Sequence, residues 1–303
     1  MSEPSVLIVG AGAMGLVAGY HLQLGGTRVS FLVRPGRIDA FQAPRQLYCY
    51  DDHELKTFDG YRVVDTVAAI ADESFDYVIL TLDGATSRGS ETTAMLAALG
   101  KAIAGKKTML LIGGVGVGLR EHVLQTTQLP ASRVLNGALA LLAHQLSANL
   151  PVHAPTRPEL LAQAAIAYRH ITGSTSFLVD SSLPAAAREF VALYNRSGVS
   201  RCGVMNKALF GIMTNAAFPM LAASEIAGWP KIDGLVAQRE LWHLSCQAQN
   251  EITALTQFGW IGKLAALVMT DSIGAAVQRK VEKDALPLDY QAFNRFHHGG
   301  KVQ

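Results

Sequence analysis

The sequence has few cysteines. Only Cys49, Cys202 and Cys246 occur among its 303 residues, and they are far apart in the chain. An odd, scattered set of three excludes a disulfide framework and a Cys-x-x-Cys pair, and it is typical of proteins in a reducing compartment. We therefore expect a cytoplasmic protein in which Cys202 is a buried, unreactive thiol.

Charge is also scarce. Charged residues make up 17% of the chain and the net charge is +2, whereas about 25% is average. Because no block of lysine and arginine is present, we expect no nucleic-acid partner. Half of the residues are hydrophobic, which is enough for large cores and for an apolar surface buried in a homodimer. The length indicates about two domains.

Signals for several other classes are missing. The N-terminus, MSEPSVLIVGAGAMG, has no basic region, and glycines break its apolar run, so it does not resemble a signal peptide. The most apolar later run, 208–223, contains Thr214, Asn215 and Pro219. It falls short of the ~20 apolar residues of a membrane span, so we expect no membrane segment. The chain also lacks the Gly-x-Ser-x-Gly motif of esterases and the His-x-His or His-Glu-x-x-His motifs of metal sites.

Apolar runs that are typical of buried strands alternate with helical patterns in the first half of the chain. We predict strands at 5–9, 28–33, 76–82, 107–113 and 133–143, and helices at 13–24 and 92–104. This alternation indicates an α/β fold with a doubly wound parallel sheet of the Rossmann type. An amphipathic helix follows at 184–198, and nearly everything from 206 onward reads as helix. We predict a Rossmann-like domain at 1–199 and an all-helical substrate and dimerisation domain at 200–303.

A glycine motif follows the first strand directly and opens the first helix. It comprises Gly10, Ala11, Gly12, Ala13, Met14 and Gly15, a Gly-x-Gly-x-x-Gly pattern. In such a motif the first glycine makes a tight turn, the second lets a pyrophosphate approach, and the third lets the helix pack on the strand. We expect all six residues to bind a dinucleotide, although a glycine turn without a ligand is the simpler alternative.

The end of the second strand indicates which dinucleotide. NAD sites usually carry an acidic residue there, but this chain reads FLVRPGR, with Arg34 first and Arg37 three residues later. A guanidinium can bind the 2′-phosphate of NADP. We therefore expect NADP(H) and a contact from Arg34; the alternative is that both arginines are solvated loop residues.

A lysine begins the apolar stretch NKALFGIMTNAAFPMLAA. At 100° per residue, Lys207, Gly211, Thr214 and Asn215 share one helix face. Gly211 costs about 1 kcal/mol relative to alanine, so its presence suggests that a ligand approaches the backbone there. In the alternative reading, Lys207 extends to solvent at the first turn and Asn215 is a satisfied core amide.

Together, the GAGAMG motif, Arg34 and the Lys207-x7-Asn215 helix resemble the ketopantoate reductase (2-dehydropantoate 2-reductase) family over most of the chain. The resemblance implies a Rossmann domain followed by a helical domain, with the active site between them, and NADPH as the cofactor. It implies reduction of a 2-oxoacid in pantothenate biosynthesis, with Lys207 as the general acid and Asn215 in the substrate site. Gly211 is expected beside that substrate.

The sequence departs from the family pattern in three places. Asp83 stands where the family has a lysine, and Gly113 stands where the family has an asparagine. We still expect Gly113 to bind the cofactor. Pro287 takes the position of a substrate-binding glutamate, so Asp289 is the nearest candidate carboxylate. These losses leave two alternatives open: a dinucleotide-binding protein without reductase activity, and a reductase with another substrate, such as one that forms an opine-type product.

Other residues give weaker signals. Adjacent His297 and His298 fit an irregular surface tail better than a substrate-contacting segment, and they cannot easily share one metal ion. Trp229, Trp242 and Trp260 are expected to pack in the helical region or at a dimer interface.

Overall fold

A computed structural model describes residues 3–171, 173 and 175–300. The strands are β1 Ser5–Val9, β2 Arg28–Leu32, β3 Arg45–Cys49, β4 Glu54–Phe58, β5 Arg62–Val64, β6 Tyr77–Leu80, β7 Met109–Ile112, β8 Val134–Leu139, β9 Leu141–Gln145, β10 Ile166–His170, β11 Thr175–Asp180 and β12 Arg201–Met205. The α-helices are α1 Ala13–Leu24, α2 Gly84–Arg88, α3 Ser90–Ile103, α4 Leu119–Thr127, α5 Pro158–Leu161, α6 Pro184–Tyr194, α7 Lys207–Asn215, α8 Ala217–Ile226, α9 Ile232–Ala237, α10 Arg239–Thr253, α11 Gly259–Val268, α12 Asp271–Ala285 and α13 Tyr290–His298.

The main sheet has eight strands in the order β12-β11-β8-β7-β6-β1-β2-β5. Neighbouring strands are parallel except for β8 and β11, which run antiparallel. Strand β1 is buried on both faces: Val6 and Ile8 belong to one apolar core, and Leu7 and Val9 to the other. This confirms the predicted α/β class with a helical C-terminal region.

A second sheet of four strands was not predicted from the sequence. Its order is β4-β3-β10-β9, and its strands come from two insertions, one between β2 and β5 and one between β8 and β11. The two insertions meet through parallel pairing of β3 with β10, where Leu47 opposes Ile166. A pairing across more than a hundred residues leaves no local pattern in the sequence. The C-terminal α13 packs on this sheet, since Leu288 and Phe293 share a core with Tyr48.

The change from sheet to helices occurs at Asn206. Strand β12 pairs with β11 in the main sheet and ends at Met205, and α7 begins at Lys207. This transition lies a few residues beyond 199/200, and the proposed domain limits stay a prediction. The expected irregular tail was wrong at His297 and His298, which form the last turn of α13. Basic residues are favourable at a helix C-terminus, and the Phe293 and His297 rings pack 4.4 Å apart.

Burial distinguishes Trp242 from Trp260. Trp242 is 4% exposed and packs in the helical core, whereas Trp260 on α11 is 74% exposed.

By length and composition, the helical stretch Lys207–Ile226 could cross a membrane, and so could the bent pair Thr256–Val268 and Asp271–Ala285 as one broken span. One or two such helices are weak support for a membrane location, because core helices of soluble proteins have the same properties.

The three cysteines are buried and free. Burial raises the pKa of the Cys202 thiol far above its ordinary value, which agrees with the expected unreactive role.

Candidate active site

The glycine motif has the backbone geometry that its sequence predicts. Gly10 has φ +100°, a conformation that side chains disfavour. A Cβ at Gly15 would lie 2.2 Å from the Gly10 carbonyl oxygen, so α1 packs directly on the turn. Around a Cβ built at Gly12, in contrast, no described atom lies within 4 Å. Gly12 therefore leaves open space beside the backbone, which is where a pyrophosphate needs room.

The N-terminus of α1 is suited to an anion. Within the described part of the chain, its first turn has no acidic side chain, and Gly12 at the N-cap offers no side-chain acceptor. The N–H groups and the helix dipole there favour a phosphate group. Thr81 holds the turn in place, because its hydroxyl donates to the carbonyls of Val9 and Gly10, both at 3.0 Å. The residues present therefore fit a dinucleotide.

Arg34 lies just after β2, in the loop that follows the strand. Its side chain is exposed, as is that of Arg37, and neither has a hydrogen bond or ion pair with a residue that the structure describes. Asp65, which follows β5, accepts the N–H of Gly36 in this loop at 3.0 Å, and no ion pair joins it to an arginine among the described residues. The two guanidinium groups are thus available to an external anion.

Close backbone contacts connect the glycine motif to a cavity. A Cβ at Gly10 would lie 2.8 Å from Cδ2 of Leu82, and a Cβ at Gly114 would lie 2.1 Å from the Leu82 carbonyl oxygen. Gly114 in turn lines a cavity of about 630 Å³, within the usual size range of ligand pockets. Leu82 therefore contacts both Gly10 of the glycine motif and Gly114 of the cavity lining, so the motif and the cavity lie close together.

The cavity brings together three of the predicted site residues. Lys207, Gly211 and Asn215 line one wall, with Thr214 between them. The opposite lining comes from the loop after β7 and the start of α4, which includes Gly114, Gly116 and Leu119. Among the described lining residues, none belongs to Gly10–Gly15, and neither Arg34 nor Asp289 is present.

Helix α7 is fixed firmly at its N-terminus. The Asn206 side chain accepts the N–H groups of Ala208 and Leu209 at 2.9 and 3.4 Å. The N–H of Lys207 donates to the Ser181 hydroxyl at 3.1 Å, which ties α7 to the end of β11. The Lys207 side chain is exposed and has no hydrogen bond or ion pair with any described residue. The backbone of Lys207 is thus fixed at the cavity wall, and its ammonium is available to a ligand.

The polar stripe of α7 differs from expectation in two details. Asn215 Nδ2 donates to the Gly211 carbonyl at 2.7 Å, and the Thr214 hydroxyl donates to the Phe210 carbonyl at 2.9 Å. A Cβ at Gly211 would lie 2.5 Å from Cε1 of Phe258. The glycine therefore makes room for a phenylalanine ring, and its expected contact with a ligand stays a prediction.

A polar network that the sequence analysis missed forms another part of the lining. Asn136 Nδ2 donates to Asp180 at 2.8 Å, and Arg120 donates to Asn136 Oδ1 at 3.1 Å. Asp180 is 1% exposed and also accepts the N–H of Ser182 at 3.0 Å. Only the chain fold brings these residues together, from α4, β8 and β11, so their spacing in the sequence gave no signal.

Three positions singled out by the family pattern lie elsewhere or have other partners. Gly113 is buried in the sheet, where its N–H donates to the Leu80 carbonyl at 2.8 Å and its own carbonyl accepts the N–H of Leu139 at 3.1 Å. Asp83 caps α2 by accepting the Thr86 N–H at 2.6 Å. Asp289 caps α13 through the Ala292 N–H at 2.8 Å and lies 3.7 Å from His153. The structure gives Asp289 a role in α13 and does not bring it to the cavity.

The comparisons with known proteins agree with this architecture. The model of the family "Ketopantoate reductase PanE/ApbA" matches residues 6–160. The 2-dehydropantoate 2-reductase of Geobacter metallireducens GS-15 is 16% identical, with TM-score 0.65 over 97% of this chain and 87% of that one. The enzyme of the same name from Porphyromonas gingivalis W83 is also 16% identical, with TM-score 0.65 over 98% and 99%.

A D-mandelate dehydrogenase solved with NADH is 15% identical, with TM-score 0.62 over 96% of this chain and 84% of that one. At these identities the structural likeness establishes the fold. No curated protein matches the sequence.

Proposed function

Because the chain belongs to the ketopantoate reductase PanE/ApbA family, we propose that it is an NADPH-dependent reductase of a 2-oxoacid. Membership in the family makes it an oxidoreductase. The observation that carries the finer proposal is that Lys207 and Asn215 line one cavity with Gly114, beside the glycine motif. A proton donor and an amide therefore line a cavity close to the glycine motif.

The proposed cofactor is NADP(H). Gly10–Gly15 and the N-terminus of α1 bind the pyrophosphate, and Arg34 binds the 2′-phosphate; the unpaired and exposed guanidinium supports this role. The nicotinamide, when bound, supplies the hydride. The position of Gly113 within the sheet gives little support for a direct contact, so we assign the neighbouring Gly114 instead.

The proposed chemistry needs one proton from the protein. As a C–H bond forms at the keto carbon, the carbonyl electron pair moves to oxygen, and that oxygen takes a proton from the Lys207 ammonium. Holding α7 through Asn206 and Ser181 keeps this group in position. Asn215 orients the polar end of the substrate. A positioned general acid of this kind contributes about 10²- to 10⁴-fold in rate.

A dinucleotide-binding protein without reductase activity is the second candidate. The helix-capping role of Asp83, where the family has a lysine, favours it. The free Lys207 side chain at the cavity favours the reductase.

We also propose a homodimer, with no nucleic-acid partner and a cytoplasmic location. The support for a dimer is an apolar surface on α11, where Trp260, Leu264 and Leu267 are 74%, 53% and 80% exposed. Large exposed apolar patches mark interaction sites, and a self-complementary patch is the usual basis of a two-fold dimer.

The test of the reductase is NADPH oxidation with a panel of 2-oxoacids, with the 2-hydroxyacid product identified by mass. NADPH binding is measured separately by fluorescence. Oxidation with formation of one hydroxyacid per NADPH is the expected result. Tight NADPH binding without turnover of any 2-oxoacid contradicts the reductase and selects the second candidate.

A further inference from the structure

Two charged side chains of opposite sign line the cavity on opposite walls. Lys207 begins α7, and Glu121 lies in the first turn of α4. Both are exposed, and neither has a hydrogen bond or an ion pair with any residue that the structure describes. The cavity is therefore dipolar, with a cationic group on the α7 wall and an anionic group on the α4 wall.

The other two charged residues of the described lining have partners within the protein. Arg120 donates to Asn136 Oδ1 at 3.1 Å, and Asp180, which is buried, accepts Nδ2 of the same asparagine at 2.8 Å. Asn136 thus links a cation to an anion, and the two charges offset each other over a short distance. Among the charges of the described lining, only Lys207 and Glu121 remain for a ligand to pair with.

The place of Glu121 in α4 has a second possible explanation. An acidic residue in the first turn of a helix is favourable beside the helix dipole. Glu91 occupies the first turn of α3 in the same way and is also exposed. Glu91 lies outside the described lining, whereas Glu121 lines the cavity. The two glutamates therefore allow the effect of a helix terminus to be separated from a role in the cavity.

The lining also contains a neutral polar group that a ligand can reach. Gln257 is exposed, lines the cavity next to Phe258, and has no hydrogen bond with a described residue. Its amide can donate to an anion or accept from a cation. A few polar groups on the walls of a pocket fix the orientation of a ligand. This lining suits a ligand that is polar at both ends.

From this charge arrangement we infer that Glu121 determines specificity, and that the preferred 2-oxoacid carries a cationic group at the end remote from its oxoacid group. The oxoacid end lies at Lys207 and Asn215, and the cationic group lies at Glu121. An anionic group at the remote end is disfavoured, because it meets a like charge. This inference rests on the proposed reductase function and deepens it.

The decisive comparison uses two 2-oxoacids of the same shape that differ by one charge. 5-(Trimethylammonio)-2-oxopentanoate ends in a quaternary ammonium, and 6,6-dimethyl-2-oxoheptanoate ends in a tert-butyl group. We expect kcat/KM for NADPH-dependent reduction to be about tenfold higher for the cationic compound, since a partly enclosed ion pair lies between an exposed and a buried one in strength. 2-Oxohexanedioate, whose remote end is anionic, should be the poorest of the three.

The role of Glu121 is tested by charge removal and charge reversal. Glu121→Gln should bring the ratio of the two kcat/KM values close to one, and Glu121→Lys should make 2-oxohexanedioate the best of the three compounds. Glu91→Gln is the matched control and should keep the wild-type ratio. NADPH affinity and melting temperature should stay nearly unchanged in all three variants, so a change in the ratio cannot come from the helix terminus or from the fold.

A binding measurement makes the test independent of turnover. 5-(Trimethylammonio)pentanoate and 6,6-dimethylheptanoate have the same charge difference but no keto group to reduce. Calorimetric titration of the NADPH-loaded protein should show tighter binding of the cationic acid, and Glu121→Gln should abolish this preference.

The contradicting results can be told apart. An equal or higher kcat/KM for the neutral oxoacid overturns the cationic substrate class and leaves the reductase intact. A cationic preference that survives Glu121→Gln, or a large loss of NADPH affinity in that variant, overturns the assignment of Glu121. Binding of the cationic acid that depends on Glu121, without reduction of any of the three oxoacids, overturns the reductase and leaves the cation-binding site.

Discussion

The imidazole rings of His21 and His170 stack with their centroids 5.6 Å apart. His21 lies on α1, the helix that carries the glycine motif, and is completely buried; its Nδ1 bonds the Tyr194 hydroxyl at 2.9 Å. His170 lies on β10 and bonds the Asp51 carboxylate at 2.6 Å. This stack therefore connects the helix that carries the glycine motif to the second sheet.

Burial, followed by the charge of His170, lowers the pKa of His21 to about 3, although Asp51 acts in the opposite direction. Tyr168 and Tyr194 also pack against this ring, and both remain protonated at these pH values. The unfolded state binds a proton at His21 below about pH 6.5, but the folded state does not until about pH 3. Stability from this group is thus complete above pH 6.5 and is lost as the pH falls through that window.

We predict that His21 alone lowers the free energy of unfolding by about 1.4 kcal/mol between pH 7.5 and pH 5.5. His21→Gln keeps a polar group for Tyr194 and removes the titrating imidazole. The free energy of unfolding of this variant should therefore fall by about 1.4 kcal/mol less than that of the wild type over this pH range. Urea denaturation at both pH values measures the difference. Equal pH dependence in wild type and variant would show that His21 has the same pKa in the folded protein as in the unfolded chain.

Cofactor preference depends on Arg34 in our proposal. Arg34→Ala should weaken NADPH binding about 10- to 100-fold, the loss of one or two charge-assisted hydrogen bonds, while NADH binding changes little. Arg37→Ala, three residues away and equally exposed, is the matched control and should have a smaller effect. Fluorescence titration with both cofactors measures the affinities. Equal wild-type affinity for NADPH and NADH would contradict the assignment.

Two glycines of one motif should respond to substitution in opposite ways. Gly12→Val should leave the melting temperature nearly unchanged and abolish NADPH binding, since the space beside Gly12 is open and needed by the pyrophosphate. Gly15→Ala should instead destabilise the fold, because its Cβ would lie 2.2 Å from the Gly10 carbonyl oxygen. Gly105→Val, at another open glycine, controls for the added side chain. Normal NADPH binding by Gly12→Val would show that the glycine motif is a turn that does not bind the pyrophosphate.

The apolar surface of α11 predicts the oligomeric state. Sedimentation of the wild type should give a dimer, and the double variant Trp260→Glu, Leu267→Glu should give a folded monomer, because charges are unfavourable in a buried apolar interface. Leu24→Glu places the same charge on another exposed leucine, at the end of α1, and should stay dimeric. A monomeric wild type at high protein concentration would exclude this interface.

Local patterns were sufficient for the parts of the protein that depend on local physics. Strand β1, the turn at Gly10 and helix α1 follow one another in the sequence. A continuous apolar run indicates the strand, glycine indicates the turn, and the helical pattern of residues indicates the helix. The same holds for α7, whose helical period places Lys207 and Asn215 on one face, and both residues line the cavity. The second sheet could not be predicted in this way, because β3 and β10 meet only in the folded chain.

The environment of the site was also hidden for physical reasons. Asp180 and Asn136 form a pair between two neighbouring strands that are far apart in the sequence, and neither strand's sequence indicates the other. Gly211 did carry a signal, since glycine inside a helix requires a close neighbour, but only the structure identifies that neighbour as Phe258. Asp289 was selected by its nearness in sequence to a family position, and the register of α13 uses it as a cap instead.

Lys207 gives the last prediction. Lys207→Ala should lower kcat by about 10²- to 10⁴-fold for any 2-oxoacid that the wild type reduces, because the forming alkoxide loses its proton donor. NADPH affinity should stay unchanged, since the proposed phosphate contacts lie at the glycine motif and Arg34. Lys207→Arg should not restore turnover: a guanidinium keeps the charge but is too weak an acid to release a proton at neutral pH. Lys263→Ala removes an exposed lysine of α11 as the control. Wild-type turnover by Lys207→Ala would exclude the lysine as the general acid, whereas rescue by arginine would mean that its charge alone matters.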